Sequence, residues 1–255
     1  MSRYLIFCGI ISAGLLGLAV APVAAGEPAP GQEPKLTLDN DPRLVGWWKF
    51  DEVAGKNAAD ASTGGHNGVL EEGLSFETHS AAGRIGNAIK LDGKGIVRIA
   101  NYKGVTGPGP RTIAAWLKTT APGGEIVSWG ENDHGKMWIL GFIRSRVGVT
   151  PKGGYLYMKA GVHDDTWHHV AVVVQEAAPP NLHDHVKLFK DGELAEIDDI
   201  GLLDLWPIET GDKQDVTLGR RFKGLIDDLR IYSRPLSEDE IKVLCKSSPP
   251  STKPT

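Results

Sequence analysis

Apolar and polar residues alternate in short runs along most of the chain, and glycine, proline, asparagine or aspartate separates the runs. This period of two predicts half-buried β-strands. The intervals between runs are too short for the helices that connect parallel strands, so the sheets are expected to be antiparallel. The predicted strands are Val45–Phe50, Gly95–Ala100, Thr112–Lys118, Glu125–Trp129, Met137–Ile143, Gly154–Lys159, Trp167–Val174, Val186–Lys190, Asp215–Leu218 and Leu225–Tyr232.

Local signals predict one hairpin and one helix. The Asp-Gly pair at 191–192 suits a tight turn and predicts that Val186–Lys190 pairs with Leu194–Ile197. Ser237 and Glu240 form a capping box, which predicts a helix over 237–244. No repeat of roughly 20 to 50 residues is evident, which disfavours solenoids and propellers. The sequence therefore predicts an all-β fold, a closed or doubled antiparallel sheet with one short C-terminal helix.

The two ends of the chain differ in character from the middle. Residues 1–25 read as a signal peptide, with a basic start, an apolar run and a small-residue cleavage site after Ala25. A membrane anchor is the alternative, but the apolar run is shorter than the roughly 20 residues that span a bilayer. Residues 26–43 and 246–255 are rich in proline and polar residues and are predicted to be flexible. The folded domain is predicted over 44–245, in a secreted, periplasmic or extracellular protein.

Charge and cysteine content limit the classes of partner and the means of stabilisation that the chain can have. Without residues 1–25 the chain has 27 basic and 32 acidic side chains, a net charge of −5, and no basic stripe. This argues against nucleic acid as a partner. Only Cys245 remains after cleavage at the predicted site, so no intramolecular disulfide is expected. Stability must come from a hydrophobic core, with a metal ion as a further possibility.

Several segments, read in order, resemble the laminin-G-like, concanavalin A-like jelly-roll family. The most specific is the C-terminal segment LGRRFKGLIDDLRIYSRPLSEDEI (218–241), and the others are VGWWKFDEVAGKNAADASTGGHNGVL (45–70), GRIGNAIKLDGKGIVRI (83–99), TIAAWLK (112–118), DDTWHHVAVVV (164–174) and LFKDGEL (188–194). The resemblance implies an antiparallel two-sheet jelly-roll sandwich. It also implies a non-catalytic module that binds carbohydrate, protein surfaces or matrix components, in many members with a calcium ion.

Two acids are predicted to lie on apolar strand faces. Simple alternation places Asp227 in a row with Leu229, and Glu52 at the end of an aromatic row in the first strand. The resemblance makes the first and last strands neighbours, which would bring the two carboxylates together. We therefore expect a structural Ca²⁺ site at Glu52 and Asp227, with Asp60 and Asp92 as further donors. The alternatives are that Asp227 accepts backbone N–H groups or pairs with Arg220, and that Asp92 only begins a turn.

The candidate ligand contacts are an aromatic residue and a polar loop. Sugar sites usually combine an aromatic surface with a few polar groups. Trp206 lies in a stretch without strand pattern, and Asn132, Asp133 and His134 follow a strand that ends at Trp129. Trp206 is expected to be exposed, whereas Trp129 reads as part of a buried strand.

Catalytic and zinc sites are less well supported. Glu196 and Asp198 resemble half of a glycosidase carboxylate pair, but the second glutamate is missing. His183 and His185 could share a zinc ion, but no third ligand has suitable spacing. The sequence therefore favours a secreted, non-catalytic binding module for carbohydrate or another extracellular ligand. An adhesion protein with a protein partner, and a polysaccharide hydrolase or lyase, remain as alternatives.

Overall fold

The computed structural model describes residues 37–198 and 206–246; the predicted signal peptide, most of the predicted linker and most of the C-terminal tail lie outside these residues. A 3-10 helix at Leu38–Asn40 precedes the first strand. The described residues form strands β1 (Leu44–Trp48), β2 (Asn57–Ala58), β3 (Gly68–Leu70), β4 (Ser80–Ala82), β5 (Asn87–Asp92), β6 (Val97–Ile99), β7 (Arg111–Lys118), β8 (Glu125–Gly130), β9 (Met137–Ile143), β10 (Arg146–Thr150), β11 (Leu156–Met158), β12 (His168–Val174), β13 (Val186–Lys190), β14 (Glu193–Leu194), β15 (Ile197–Asp198), β16 (Gln214–Leu218) and β17 (Lys223–Tyr232), and helices α1 (Phe76–His79), α2 (Leu182–His185) and α3 (Glu238–Lys246).

The strands form two antiparallel sheets, which confirms the predicted sandwich. One sheet has the order β14-β13-β12-β7-β17-β5-β4, with β1 also paired to β17. The other has the order β15-β11-β10-β9-β8-β16-β6-β3-β2. In the first sheet, Trp48 of β1 lies opposite Leu229 of β17. The first and last strands are therefore neighbours, as expected.

The main core lies between the inner faces of the two sheets. Trp48, Trp129 and Trp138 are fully buried there. A second apolar cluster lies on the outer face of the β17 sheet, where Ile241 and Leu244 of α3 pack with residues such as Val173. Strand β12 is buried on both faces for this reason, and its sequence HHVAVVV has an almost continuous apolar run.

Helix α3 confirms the predicted capping box. The Ser237 hydroxyl accepts the N–H of Glu240 at 3.2 Å, and the Glu240 carboxylate accepts the N–H of Ser237 at 2.8 Å. The helix covers Glu238–Lys246 and includes the half-buried Cys245. Within the described ranges, no helix combines the length and apolar character needed to cross a bilayer.

The predicted hairpin is shorter than expected. Asp191 and Gly192 both have positive φ, as the tight turn requires. However, β13 pairs only with Glu193–Leu194, and Ile197 pairs with Met158 of β11 in the other sheet. The chain therefore passes from one sheet to the other after Leu194.

A bulge in β17 overturns the simple alternation predicted for the last strand. Asp228 has a φ of 48°, and the register shifts between Asp227 and Arg230. Asp227 lies opposite Trp116, whereas Leu229 belongs to the core between the sheets. Because opposite residues point to the same face, Asp227 lies on the outer face and not in the apolar row of Leu229.

Candidate functional site

A surface cleft of about 410 Å³ brings together residues that are far apart in the sequence. One wall is the loop Asp133–Lys136, which follows β8, and the other is formed by Trp206, Pro207 and Glu209. Three of the four predicted ligand contacts, Trp206, Asp133 and His134, line this cleft. The fourth, Asn132, precedes them in the same loop.

Backbone hydrogen bonds hold the two walls together. The N–H of Gly135 donates to the carbonyl of Lys152, and the N–H of Glu209 donates to the carbonyl of Gly135, both at 2.9 Å. The N–H of Gly211 donates to the carbonyl of Lys136 at 2.8 Å. Three segments of the chain are therefore joined directly beneath the cleft, which makes its shape depend on backbone contacts more than on flexible side chains.

The aromatic surface of the cleft is the pair Trp206 and His134. Their ring centroids are 5.0 Å apart, with an angle of 36° between the planes. Trp206 is 42% exposed, so part of its indole remains accessible to a ligand. Gly153 lies against both rings: a Cβ there would come within 2.9 Å of His134 Cδ2 and would overlap the indole of Trp206. A glycine is required at this position.

Charged and amide groups surround the ring pair. Lys136 Nζ lies 3.3 Å from Asp133 Oδ2, and the N–H of His134 donates to Asp133 Oδ1 at 2.8 Å. This backbone hydrogen bond, followed by the contact with Lys136, lowers the pKa of Asp133, which remains ionised at neutral pH. Lys152 Nζ donates to both the carbonyl and the side-chain oxygen of Asn132 at 2.8 Å. An exposed ring edged by oriented donors and acceptors suits a polar ligand with an apolar face, such as a sugar.

Arg111 supports the second wall and was not anticipated from the sequence. Its buried guanidinium donates to the carbonyls of Val105, Gly107 and Gly109 and to the Thr210 hydroxyl, at 2.7 to 3.0 Å. Burial lowers the pKa of Arg111 to about 9. The available signal was an arginine that begins the otherwise apolar strand RTIAAWLK, since a buried arginine must find several acceptors.

Asp60 accepts hydrogen bonds from the backbone of its own loop and of β1. Its Oδ1 accepts the N–H of Trp47 at 2.8 Å and that of Ser62 at 2.9 Å, and its Oδ2 accepts the N–H of His66 at 2.7 Å. Three N–H donors satisfy the hydrogen-bonding needs of this carboxylate without a metal ion. Asp60 therefore organises the loop between β2 and β3.

Asp92 begins a turn, which is the alternative considered from the sequence. Its Oδ1 accepts the N–H groups of Lys94 and Gly95 at 2.8 and 3.1 Å. These two bonds, the first from Lys94, lower the pKa of Asp92. Among residues 37–198 and 206–246, no three histidine, cysteine, aspartate or glutamate side chains are grouped so as to hold a metal ion. The four predicted metal ligands are thus not brought together as one set.

Asp227 and Glu52 each retain a buried oxygen without a hydrogen-bond partner. The Oδ2 of Asp227 accepts the N–H of Ile85 at 2.8 Å, and the Oε1 of Glu52 accepts that of Ala59 at 2.7 Å. Among the residues that the structure describes, Asp227 Oδ1 and Glu52 Oε2 have no partner. Arg220, the predicted alternative partner of Asp227, lies 3.5 Å from Glu125 instead.

The loop from Gly83 to Asn87 encloses the Asp227 carboxylate. A Cβ at Gly83 would lie 2.6 Å from Asp227 Oδ2, and a Cβ at Gly86 would overlap the carboxylate of Asp51. Burial raises the pKa of Asp227 to about 7, and the nearby charges of Asp228 and Asp51 contribute. The loop presents backbone N–H groups to these carboxylates, from Ile85 to Asp227 and from Asn87 to Asp51.

The described residues considered from the sequence for zinc binding and for catalysis do not line the cleft. His183 and His185 lie in α2 and not in a strand, so the alternation that placed them on one face does not apply. Glu196 forms an ion pair with Lys159, and Asp198 lies opposite Tyr157. Ile200 and Gly201 occupy the positions where a second catalytic glutamate would fall, and both lie outside the described residues.

The two-sheet jelly roll and the sequence define the class of protein. The profile of the laminin G family described as the concanavalin A-like lectin/glucanases superfamily matches residues 91–242, more than half of the chain. The chain belongs to this family, as the sequence predicted. No curated protein sequence matches it.

Two solved structures illustrate the likeness in fold. Domain 4 of AbnA, a GH43 extracellular arabinanase from Geobacillus stearothermophilus solved with arabinotriose, has 21% sequence identity and a TM-score of 0.59. The match covers 80% of this chain and 98% of that domain. The binding domain of botulinum neurotoxin serotype D/C VPI 5993 has 16% identity and a TM-score of 0.51, over 81% of this chain and 52% of that chain. The chain thus matches about half of the toxin domain.

Proposed function

We propose that the protein is an exported, non-catalytic module that binds a glycan in the cleft between Trp206 and the loop Asn132–Lys136. The observation that carries this proposal is the partly exposed indole of Trp206, held against His134 within a rim of charged groups. A sugar ring has an apolar face that packs on an indole, and its hydroxyls pair with carboxylates, amines and amides. Backbone bonds between the walls preform the cleft, which reduces the entropy lost on binding.

The arabinanase domain supports a sugar as the ligand, because that domain was solved with arabinotriose and matches over 98% of its length. Arabinotriose is therefore the first probe to try. The apparent signal peptide at residues 1–25 supports an extracellular setting, where polysaccharides are the common ligands. A protein partner would instead need a larger apolar surface than one exposed indole.

A glycan array that also includes arabinotriose tests this proposal. We expect binding to a defined set of glycans by the wild-type protein and by Val53→Ala, which removes an exposed apolar side chain not included in the cleft lining. We expect Trp206→Ala to lose most of its binding to the neutral glycans of this set. The absence of binding to any glycan would contradict the proposal. New reducing ends after incubation with a bound glycan would favour the hydrolase or lyase alternative.

We also propose a structural calcium ion held by Asp227 and Asp51, with water as the remaining ligands. Of the four ligands predicted from the sequence, this site retains Asp227 and does not include Asp60 or Asp92. Asp51 takes the place of its neighbour Glu52. The support is the buried, unpartnered Asp227 Oδ1, together with two glycines that leave room only for the carboxylates. A cation there would neutralise the carboxylate whose burial is costly. It would hold the loop to β17 and take no part in binding the glycan.

Calorimetric titration of chelator-treated protein with CaCl₂ tests the ion. We expect binding heat and a rise in melting temperature for the wild-type protein, and neither effect for Asp227→Asn. Asp92→Asn is the matched control, because its carboxylate accepts two N–H groups of a turn and lies outside the proposed ion site. No heat and no thermal shift in the wild-type protein would contradict the proposal.

A further inference from the structure

A second groove, of about 380 Å³, opens on the outer face of the β17 sheet. It is separate from the Trp206 cleft, because the two have no lining residue in common. Its lining includes three lysines from three adjacent strands: Lys90 of β5, Lys118 of β7 and Lys223 of β17. The arrangement follows from the register of the sheet.

Leu225 lies at the centre of this arrangement. It is opposite Lys90 on one side and opposite Lys118 on the other. Residues opposite each other in a sheet point to the same face, and adjacent strands are about 4.8 Å apart. The two lysines therefore leave the sheet about 10 Å apart with the leucine between them. Lys223 is two residues from Leu225 on β17 and lies on the same face.

Among the described residues, none of the three ammonium groups forms a direct ion pair. In the described part of the chain, no carboxylate lies within 4.0 Å of Lys90, Lys118 or Lys223. Like charges around one groove repel each other, and an anion placed between them would remove this repulsion. The groove is therefore suited to a ligand that carries negative charge.

The base of the groove is apolar and its backbone is held firmly. The side chains of Ala81 and Leu225 lie on this face, whereas Leu91, which also contributes to the lining, has its side chain in the core between the sheets. The Thr119 hydroxyl donates to the carbonyl of Lys223 at 2.6 Å. Gly224 allows this approach, since a Cβ there would lie 2.8 Å from that of Thr119. The ligand should thus have an apolar face as well as an anionic group.

Two carboxylates limit how much negative charge the groove accepts. Asp92 and Asp165 also line it, so three lysines and two aspartates give a formal charge of +1. Asp92 and Asp165 would repel a densely sulfated chain more strongly than a ligand with one charge per unit. The aspartates can instead accept hydrogen bonds from hydroxyl groups.

We propose that this groove binds a uronic acid unit of an acidic polysaccharide. The carboxylate of the uronic acid pairs with the ammonium groups of Lys90, Lys118 and Lys223. The apolar face of its ring lies on Leu225, and its hydroxyls face Asp92 and Asp165. The protein then has two independent saccharide sites, and this site does not depend on the function proposed for the Trp206 cleft.

Isothermal titration with tetragalacturonic acid, and with its neutral methyl ester, tests the proposal. We expect binding of the acid that weakens sharply when NaCl is raised to about 1 M, where the Debye length is about 3 Å. The double variant Lys90→Gln/Lys118→Gln should bind the acid at least about fivefold more weakly. The matched control Lys56→Gln/Lys187→Gln removes two exposed lysines outside the groove and should bind as the wild-type protein does.

Several outcomes would overturn this inference. These are no binding of the acid, equal binding of the acid and the ester, or equal weakening in the groove and control variants. Trp206→Ala distinguishes the two sites: binding of the acid that is lost in this variant, and kept in the groove variant, would assign it to the Trp206 cleft. Tighter binding of a heparin oligosaccharide than of the uronate would contradict the single-charge argument.

Discussion

The indole of Trp206 lies against the imidazole of His134, with 5.0 Å between the ring centroids, although 71 positions separate the two residues in the sequence. Pro207, directly after the indole, is tied into the fold through its neighbours: Ile208 donates its N–H to Pro180 and Glu209 donates its N–H to Gly135. The ring pair therefore depends on long-range backbone bonds, and it should respond to substitutions that contact no ligand.

Gly153→Ala should weaken glycan binding because the new methyl group would overlap the indole of Trp206 and displace it from His134. The variant also strains the backbone, since φ at Gly153 is 115°. Gly73→Ala controls for strain: its φ is 85°, and a Cβ at this position would have no neighbour within 4 Å. We expect both variants to lose about 1 kcal/mol of stability or more, and only Gly153→Ala to lose affinity in calorimetry. Equal affinity in both variants would argue against the ring pair as the binding surface.

Arg111→Met should destabilise the whole domain. It leaves three backbone carbonyls and the Thr210 hydroxyl without their buried donor, which should cost about 3 kcal/mol. Urea denaturation measures the loss, with Arg43→Met as a control at an exposed position. A loss of less than about 1 kcal/mol would show that the loops hold their positions without Arg111.

Two buried groups, Asp227 and His169, should make stability depend on pH in opposite directions. Both are paired with Trp116 of β7, Asp227 from β17 and His169 from β12. Burial raises the pKa of Asp227 to about 7, so its contribution to stability falls as pH rises from about 4 to 7. Burial lowers the pKa of His169 to about 4, so its contribution falls as pH decreases from about 6.5 to 4. In chelator, the two effects should nearly cancel between about pH 4 and 6.5.

Single substitutions should separate the contributions of Asp227 and His169 to the pH dependence of stability. When the pH is lowered from about 6.5 to 4, Asp227→Asn should become less stable relative to the wild-type protein, and His169→Gln should become more stable. Each change should be at most about 1.4 kcal/mol per pH unit. Urea denaturation in chelator across this range gives both slopes. Parallel profiles for the wild-type protein and both variants would contradict the assigned shifts.

Ser237→Ala should destabilise α3 by about 1 kcal/mol, because the N–H of Glu240 loses its capping oxygen. Ser237→Asp, which keeps a capping oxygen, should restore most of this stability. Since Ile241 and Leu244 cover the outer face of the β17 sheet, the effect should appear in global urea denaturation. No difference between the alanine and aspartate variants would show that the cap does not limit stability.

Much of the fold was predictable because its signals are local. Alternation located most of the long strands, the Asp-Gly pair located a tight turn, and Ser237 with Glu240 located the start of α3. The bulge at Asp228 was not predictable in this way. It depends on how β17 pairs with both β1 and β7, and it changes which face each side chain occupies.

The candidate site was predictable only in its parts. Composition pointed to Trp206 and to the polar loop Asn132–His134, but no local signal brings the two together. The contacts that do so involve Gly135, Gly153 and Arg111, whose roles depend on partners from distant segments. For the same reason, the lysines around Leu225 become a group only through the register of β5, β7 and β17.

Trp206 should be the main contact for a glycan, and this role is central to the proposed function. It is tested most directly by calorimetric titration of the wild-type protein, Trp206→Ala and Val53→Ala with the neutral glycan that binds best on the array. We expect Trp206→Ala to bind about tenfold more weakly or worse, and Val53→Ala to match the wild-type protein. Equal affinity of all three proteins would contradict the account.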